Sequence, residues 1–342
     1  NAGGPVELTD LLAGTENICA ILNISQLGQE GGNAVADILF GEFTPSGKLT
    51  TTWTKRYDDC PAAEEFSYLN GNLETEEYAE GIYVGYRYFD SFGIEPLFSF
   101  GYGLSYTEFD IKVTGISKQI SAQGKPTLSV SVDVINTGAA YSGKEVVQVY
   151  VSCPQGKLPK EFRRLAAFGK TKLLAPGETQ SLTLSMDLYQ LASYSEEQAA
   201  WLLETGTYGI WVGNALSTAA LCGTFVLDET KVLVQCEHIC PLKESLEELQ
   251  ADKAKLEEKQ TAWLRKAEER KLPKVQIFAK ELPTETVVYE KLQDQYPGRA
   301  GEIVDQLSTE ELIALATGDP AKDQGASALG SAGQTVPGAA AE

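Results

Sequence analysis

The spacing of hydrophobic residues changes character along the chain, first near residue 107 and again near residue 241. Before residue 107, positions 20–24 form a short apolar run typical of a buried strand. A glycine-rich turn follows, and positions 33–41 then repeat apolar residues at helical intervals up to a terminating Gly41. This succession of strand, turn and helix predicts an α/β arrangement built on a parallel sheet.

The central part of the chain carries short strand-like runs separated by turn signals such as Asn136-Thr137-Gly138 and Pro176-Gly177. The predicted strands are 128–135, 145–151, 164–173, 181–186 and 206–212. Short strands with glycine and proline punctuation and little helix are typical of an antiparallel β-sandwich.

After Pro241, a leucine or tryptophan recurs every seventh residue, at Leu242, Leu249, Leu256 and Trp263. The second half of this heptad seam contains polar residues, so an independent coiled-coil dimer would be marginal. We therefore predict one long helix that packs on its own protein and ends before Pro273.

The end of the chain is less regular. We expect extended structure at 275–278 and 286–289 and a helix over 300–316, with Ser308 to Glu311 resembling a capping box. Beyond Gly318 the sequence is rich in glycine and alanine, and we predict that residues 320–342 lack regular structure or are ordered only against another chain.

Composition narrows the possible functions. The 342 residues are enough for two or three domains, and a hydrophobic share of 43% can fill a sizeable core. The formal net charge of −20 disfavours nucleic acid and anionic membrane as partners, and no apolar run is long enough to span a bilayer. His238 is the single histidine, which excludes most Ser-His-Asp chemistry and any site of several histidines.

The six cysteines are scattered through a large chain, so we read most of them as free, buried thiols of a protein from a reducing compartment, the cytoplasm. Cys236, His238 and Cys240 could share one face of a strand as half of a metal site. Because no fourth ligand lies nearby, we expect no metal there, and we expect no cofactor anywhere in the chain.

Four motifs occur in order within the first 106 residues, and together they resemble a known family. They are 28–41 (GQEGGNAVADILFG), 45–49 (PSGKL), 80–90 (EGIYVGYRYFD) and 96–106 (PLFSFGYGLSY). In this order and spacing they are similar to the second half of the α/β-sandwich domain of family 3 glycoside hydrolases, the β-glucosidase family. The glycine-rich turn at 28–32 lacks both a GxGxxG and a GK[ST] pattern, so we do not expect it to bind phosphate.

Two later segments extend the resemblance. Residues 168–178 resemble the fibronectin-type-III-like domain found in many members, and 303–312 resembles the helix that opens the family's catalytic barrel. Because this segment follows the fibronectin-like module, the parent resembles the subgroup with reversed domain order.

The resemblance implies a multidomain fold in a truncated fragment, and we expect the native chain to extend at both ends. The parts are a partial α/β sandwich (1–104), an antiparallel fibronectin-III-like β-sandwich (105–231), a helical and extended linker arm (232–302) and the truncated start of a TIM-type barrel (303–342).

The family hydrolyses glycosides with retention, through a nucleophile and an acid/base roughly 5 Å apart. The resemblance places the nucleophilic aspartate beyond Glu342 and the acid/base glutamate before Asn1. We therefore assign no catalytic, cofactor-binding or metal-binding residue to this chain, and we expect the isolated fragment to be inactive.

The implied activity is that of an exo-acting β-glucosidase cleaving terminal non-reducing β-D-glucosyl residues from oligosaccharides or aryl glucosides. The missing barrel would be its partner. The alternatives are a β-xylosidase or other exo-glycosidase of the same family, and a non-catalytic carbohydrate-binding or adhesive β-sandwich module. The oligomeric state stays open.

Two other features invite a functional reading. The acidic loop from Glu64 to Glu80 is dense in like charges, which we interpret as a solvated surface loop, with Glu80 pairing with Arg87. Tyr86 and Tyr88 should share one face of a strand, with Phe89 on the other. We expect these aromatic side chains to fill a core rather than to stack on a sugar.

Overall fold

The computed structural model describes residues 3–66, 71–72, 75–121, 125–239, 241–242, 246–288 and 298–317. The chain divides into two units, residues 1–286 and 287–342. The strands in chain order are β1 (Phe109–Ile120), β2 (Pro126–Asn136), β3 (Val146–Ser152), β4 (Arg164–Lys170), β5 (Thr179–Asp187), β6 (Ser193–Ser195), β7 (Ala200–Leu203), β8 (Gly206–Gly213), β9 (Ala220–Leu227), β10 (Lys231–Gln235), β11 (Lys274–Ile277) and β12 (Glu285–Thr286). The α-helices are α1 (Thr9–Ala13), α2 (Gly31–Leu39), α3 (Tyr86–Phe92), α4 (Lys253–Glu269), α5 (Arg299–Val304) and α6 (Thr309–Thr317).

Two sheets supply the side chains of the main hydrophobic core. One has three antiparallel strands in the order β1-β2-β5, and the other has five in the order β11-β9-β8-β3-β4. Alternate residues of β2, from Leu128 to Val134, are fully buried, as expected for a strand with one face in the core. Tyr208 and Phe225 stack at the centre, with ring centroids 4.3 Å apart. The predicted antiparallel β-sandwich is confirmed.

The sandwich contains more strands than the pattern predicts. Each of the five predicted strands is present, but β1, β6, β7, β9 and β10 were not predicted. A smaller sheet, in the order β12-β10-β7-β6, completes this part of the structure. β11 joins the five-stranded sheet as a parallel neighbour of β9, so the chain returns to the sandwich after α4.

The first hundred residues contain much less regular structure than predicted. The predicted helix at 33–41 is confirmed as α2. The predicted strand at 20–24 is wrong: the segment is irregular, and Ile21 and Leu22 are 47% and 38% exposed. A parallel strand gains its hydrogen bonds from neighbouring strands, and the described residues place no strand beside this segment.

The strand predicted around Tyr86 and Tyr88 is also wrong, because these residues lie in helix α3. Gly85 precedes the helix with φ of 57°, and Gly93 ends it in the left-handed conformation with φ of 73°. Glycine adopts these angles without the steric penalty that other residues meet. The two glycines therefore override the strand preference of the intervening aromatic residues.

Helix α4 confirms the prediction of a helix that packs on its own protein. Asp252 caps its start by accepting hydrogen bonds from the backbone N–H groups of Ala254 and Lys255. Leu256 and Trp263 are buried, as the heptad spacing indicates, and Trp263 packs near Leu221 of β9. The helix is shorter than the heptad pattern, since Leu242 and Leu249 precede it.

The segments after α4 follow the predictions in part. Lys271, with φ of 50°, and Pro273 separate the helix from β11, which confirms the extended structure at 275–278. Of the extended segment predicted at 286–289, Thr286 lies in β12, and Tyr289 is outside the described residues.

The second unit contains two short helices where one was predicted over 300–316. α5 ends at Val304, and α6 begins at Thr309. The capping box is confirmed: Ser308 Oγ accepts a hydrogen bond from the Glu311 N–H at 3.2 Å, and Glu311 accepts one from the Ser308 N–H at 2.7 Å. The prediction for residues 320–342 falls outside the described residues. Among the described helices, none combines the length and apolar character that crossing a bilayer requires.

Candidate functional site

The acidic loop lies largely in solvent. Glu64, Glu65, Glu76 and Glu77 are exposed and Glu80 is half-buried, while Glu74 is outside the described residues. Glu65 and Glu80 line an open cleft of about 400 Å³ together with two acidic residues of the segment that precedes α4, Glu247 and Glu248. The described part of the chain holds no group of three or more His, Cys, Asp or Glu side chains placed to bind a metal ion.

Two further sequence-based expectations concern single residues. The predicted Glu80–Arg87 pair is wrong, because the Arg87 guanidinium faces Glu161, with Nε 3.8 Å from Oε1. In the Cys236–Cys240 segment, Cys236 is half-buried and His238 is exposed, and Cys240 is outside the described residues. The absence of metal there stays a prediction.

The aromatic side chains of α3 pack among themselves and against the sandwich. Tyr88 lies against Phe92, with ring centroids 4.6 Å apart, and Phe89 is buried. Tyr86 packs on Phe100, and its hydroxyl oxygen accepts a hydrogen bond from the Leu165 backbone N–H at 2.9 Å. This packing agrees with the expectation that the side chains of Tyr86, Tyr88 and Phe89 fill a core and do not form an exposed surface for stacking on a sugar.

These contacts belong to a junction between residues 44–106 and the β-sandwich, which also contains ion pairs with little exposure to solvent. Its centre is a two-point ion pair between Asp90 of α3 and Arg163, which precedes β4. Arg163 donates to the Asp90 carboxylate from Nε at 2.9 Å and from Nη2 at 2.6 Å. Such a fork-shaped contact fixes both orientation and distance.

Aromatic rings surround the Arg163 guanidinium. Its central carbon lies 5.3 Å from the ring centroids of Phe162 and Trp211. Nη1 also donates to the Leu216 carbonyl oxygen at 3.2 Å. A guanidinium held by a carboxylate, a carbonyl and two rings is well ordered, because each of these contacts restricts its orientation.

Helix α4 contributes a third element to the same place. The Lys259 ammonium group donates to the carbonyl oxygens of Asp90 and Ser91, at 2.8 and 3.2 Å. These two carbonyls end the short helix α3, where a cation is favoured. Burial lowers the pKa of Lys259. The helix therefore ties residues 86–92 to the sandwich by charge as well as by packing.

A second buried pair lies beside the first. Glu161, whose side chain is 2% exposed, binds the Arg164 guanidinium at two points. Arg164 also donates to the carbonyl oxygens of Gln190 and Ala192. Burial acts to raise the pKa of Glu161, but the hydrogen bonds and charge of Arg164, helped by Arg87, hold it below its usual value.

The third pair joins Lys160 to Glu204, within the sandwich. Glu204 also accepts hydrogen bonds from the backbone N–H groups of Lys157 and Leu158. Burial acts to raise the pKa of Glu204, whereas these hydrogen bonds and the Lys160 charge lower it overall. Gly156 is required here, because a Cβ at this position would lie 2.5 Å from a Glu204 carboxylate oxygen.

A fourth pair fixes the opposite end of the junction. Lys48 Nζ lies 2.8 Å from Glu145 and also donates to the Gly103 carbonyl oxygen at 2.8 Å. The glutamates that are buried in the described residues, Glu145, Glu161 and Glu204, are thus each bound to lysine or arginine. Each of these carboxylates therefore lies in contact with a basic side chain.

The sequence analysis missed these residues. The signal was the charge-rich run Lys157 to Arg164, which stands between two predicted strands where turn residues are usual. Within the run, Glu161 pairs with Arg164. Two other partners lie far away in sequence: Asp90 is 73 residues from Arg163, and Glu204 is 44 residues from Lys160. Such pairings cannot be derived from local spacing.

Comparison with known families divides the chain at the same junction. Residues 1–106 match the Glycosyl hydrolase family 3 C-terminal domain, and residues 145–215 match the Fibronectin type III-like domain. The Asp90–Arg163 and Lys48–Glu145 pairs therefore join a segment of the first match to a segment of the second, whereas the other two pairs lie within the second.

Sequence relatives agree with these matches. The chain is 41% identical over 227 residues to a β-glucosidase of Ruminococcus albus and 39% identical over 253 residues to β-glucosidase A of Butyrivibrio fibrisolvens. These alignments cover 64% and 69% of this chain, but only 22% and 30% of the relatives. The chain thus spans less than a third of each relative.

Solved structures show the same partial likeness. β-Glucosidase 3B from Thermotoga neapolitana, solved in complex with glucose, is similar with a TM-score of 0.60 and 42% identity, covering 68% of this chain and 31% of that chain. A β-glucosidase from Paenibacillus barengoltzii is similar with a TM-score of 0.59 and 43% identity, covering 63% of this chain and 24% of that one.

Proposed function

The chain belongs to glycosyl hydrolase family 3, and we propose that it forms the non-barrel portion of a retaining, exo-acting β-glucosidase-like hydrolase. The proposed reaction is cleavage of terminal non-reducing β-D-glucosyl residues from oligosaccharides or aryl glucosides. The relatives named above support this assignment, because both are β-glucosidases.

The observation that carries the proposal is the junction of paired charges. It joins the family 3 segment to the fibronectin-like segment and leaves their buried carboxylates neutralised by lysine or arginine. Retaining hydrolysis needs two carboxyl groups about 5–5.5 Å apart, one ionised and the other able to donate a proton. The arrangement favours a supporting role for this chain, with both catalytic carboxylates outside residues 1–342.

The proposed domains follow from this role. Residues 1–104 would be the second half of the α/β-sandwich domain, 105–231 the fibronectin-like brace and 232–302 a linker arm. Residues 303–342 would open the catalytic barrel, so that the barrel, as the chain's partner, follows in reversed domain order. The capped helix α6 supports a helical start to that segment. The described cysteines are free thiols, which supports a reducing, cytoplasmic location.

Two alternative functions can be distinguished from this proposal by experiment. The first is a β-xylosidase or other exo-glycosidase of the same family, since sugar selection would depend on residues of the barrel. The second is a non-catalytic carbohydrate-binding or adhesive module. The family 3 match over residues 1–106 weighs against the second, because an adhesive β-sandwich does not need that segment.

The test compares this chain with the product of the reading frame that contains it. The isolated chain should not hydrolyse 4-nitrophenyl β-D-glucopyranoside, whereas the full product should do so with a higher kcat/KM than for the β-D-xylopyranoside. A higher kcat/KM for the xyloside would move the assignment to the first alternative. A full product that binds glucan without cleaving any aryl glycoside would establish the second.

A further inference from the structure

Residues 247–286 lie outside both family matches, which cover residues 1–106 and 145–215, yet they contact both matched parts of the structure. This segment, the strap, comprises an irregular start, helix α4 and the strands β11 and β12. Its two ends are held in different ways.

The far end of the strap is fixed in the sandwich. β11 pairs in parallel with β9, and β12 pairs in parallel with β10. Ile277 of β11 and Leu282, which lies between the two strands, are buried in the main hydrophobic core. The Thr284 hydroxyl also donates to the Val232 carbonyl oxygen at 2.7 Å. Removal of this end would expose apolar side chains to water, which is unfavourable.

The start of the strap is held on the family 3 segment by polar contacts. The Leu249 N–H donates to the Ala79 carbonyl oxygen at 2.7 Å. Lys259 of α4 donates to the two carbonyl oxygens that end α3, those of Asp90 and Ser91. The net stabilisation from such hydrogen bonds is modest, because water offers the same groups alternative partners.

Like charges lie on the two sides of this contact. Glu247 and Glu248 of the strap line the open cleft of about 400 Å³ together with Glu65 and Glu80 of the family 3 segment. Carboxylates that face each other across a cleft repel one another. This repulsion opposes the closure that Lys259 and the backbone contact favour.

Helix α4 bridges the two matched parts. Next to Lys259, the Gln260 side-chain oxygen accepts a hydrogen bond from the Gln155 N–H of the sandwich at 2.9 Å. One turn further on, Trp263 packs with Leu221 of β9. The residues of α4 beyond position 259 are therefore held by the sandwich, whereas the first turns lie at the contact with the family 3 segment.

We propose that the strap is a conformational device whose start, residues 247–259, opens from and closes onto residues 79–91 while β11 and β12 stay in place. In the closed form, Lys259 holds the end of α3, the helix that carries Asp90. Opening removes this cation and loosens residues 86–92 on the sandwich. The role goes beyond that of a linker arm, and it does not depend on the proposed hydrolysis, because it rests on contacts within this chain.

Hydrogen–deuterium exchange of the intact chain, followed by mass spectrometry, tests the proposal. In the parent chain, the amides of residues 253–259 and 86–92 should exchange faster than those of β11, because local opening exposes them without unfolding of the sandwich. Lys259→Met keeps the apolar stem and removes the ammonium group, and it should speed exchange in both segments about three- to tenfold. Lys266→Met is the matched control, since Lys266 is exposed on the same helix.

A second variant locks the strap. A Cβ at Gly81 would lie 3.7 Å from the Cβ of Glu248, a separation that suits a disulfide. The chain with Gly81→Cys and Glu248→Cys should exchange more slowly at 253–259 and 86–92 when this bond is formed than when it is reduced. Peptide mapping verifies the bond, and comparison of the two redox states cancels the effect of backbone strain at position 81, where φ is 56°.

Three results with the lysine variants would overturn the proposal. They are unchanged exchange of both segments in Lys259→Met, equal acceleration in Lys266→Met, and acceleration by the same factor in β2 and β11. The last would mean that the strap opens only when the whole sandwich unfolds. Equal exchange in the oxidised and reduced forms of the cysteine variant would overturn it as well.

Discussion

Lys160 has a side chain only 2% exposed, yet it carries a charge, and Glu204 with its two backbone donors makes this possible. A buried ion pair stabilises a fold little more than an apolar pair of the same shape. Removal of one member is nevertheless costly, because the other charge stays buried without a partner. The other junction pairs follow the same rule, since each buried glutamate has a cation within contact distance. Of these pairs, Lys48–Glu145 and Asp90–Arg163 place buried charge between residues 44–106 and the sandwich.

Lys160→Met should therefore destabilise the chain by about 3–5 kcal/mol, because Glu204 would remain buried without its cation. Urea unfolding followed by far-UV circular dichroism measures the change. Lys255→Met is the control, since Lys255 is exposed and its contact with Asp252 is 4.0 Å long. Surface pairs of this kind contribute little. Similar unfolding midpoints for the two variants would contradict the account.

Stability should also depend on pH in a defined window. The pKa values of Glu161 and Glu204 lie below the value of 4.5 that each carboxyl has when unfolded. The unfolded chain therefore binds more protons at acidic pH, so these groups stabilise the fold above pH 4.5 and lose that effect as pH falls through their folded pKa values. Urea midpoints between pH 3 and pH 7 should fall on the acid side and level off above about 5.

Glu161→Gln tests that origin. The variant should be less stable at pH 7 and should show a shallower loss between pH 5 and pH 3, because one of the depressed carboxyls is gone. A slope equal to that of the parent chain would mean that the acid sensitivity comes from other groups.

At the level of elements, prediction from sequence succeeded where the period and the turn residues of a segment agree with its final environment. The sandwich strands at 128–135 and 206–212, and helix α2, have a period and turn residues that agree with their final environment. It failed at 20–24, where the apolar run has no neighbouring strand among the described residues. It also failed at α3, where two glycines outside the aromatic run decide the conformation.

The buried face of helix α4 was predictable from the sequence, whereas its contact with the end of helix α3 was not. The heptad spacing identified Leu256 and Trp263 as buried. The position of Lys259 over the carbonyl oxygens that end α3 depends on where the helix lies in three dimensions. Heptad spacing indicates which residues of a helix are buried, but it does not indicate which residues of other elements they contact.

Trp263→Ala should therefore loosen α4 and the junction together. The large cavity left beside Leu221 and Gly209 should cost about 3–5 kcal/mol. Limited proteolysis should show earlier cleavage within residues 253–269 than in the parent chain. Arg265→Ala, an exposed change on the same helix, should leave the cleavage pattern unaltered, and early cleavage in that control would show that α4 is loosely held already.

At the scale of the whole molecule, the two matched domains were predictable because four motifs occur in order within residues 28–106 and residues 168–178 resemble the fibronectin-like domain. The charged contacts between those domains were not, since Lys48–Glu145 and Asp90–Arg163 join residues many positions apart. We propose that the catalytic carboxylates lie outside residues 1–342.

The most direct measurement is covalent labelling of the full product of the reading frame with 2-deoxy-2-fluoro-β-D-glucosyl fluoride. In a retaining enzyme the nucleophilic carboxylate displaces fluoride from the anomeric carbon, and the glycosyl ester accumulates because the second fluorine slows its hydrolysis. Digestion and mass spectrometry then locate the modified peptide. The account predicts one labelled carboxylate outside residues 1–342, whereas an ester on any aspartate or glutamate within these residues would contradict it.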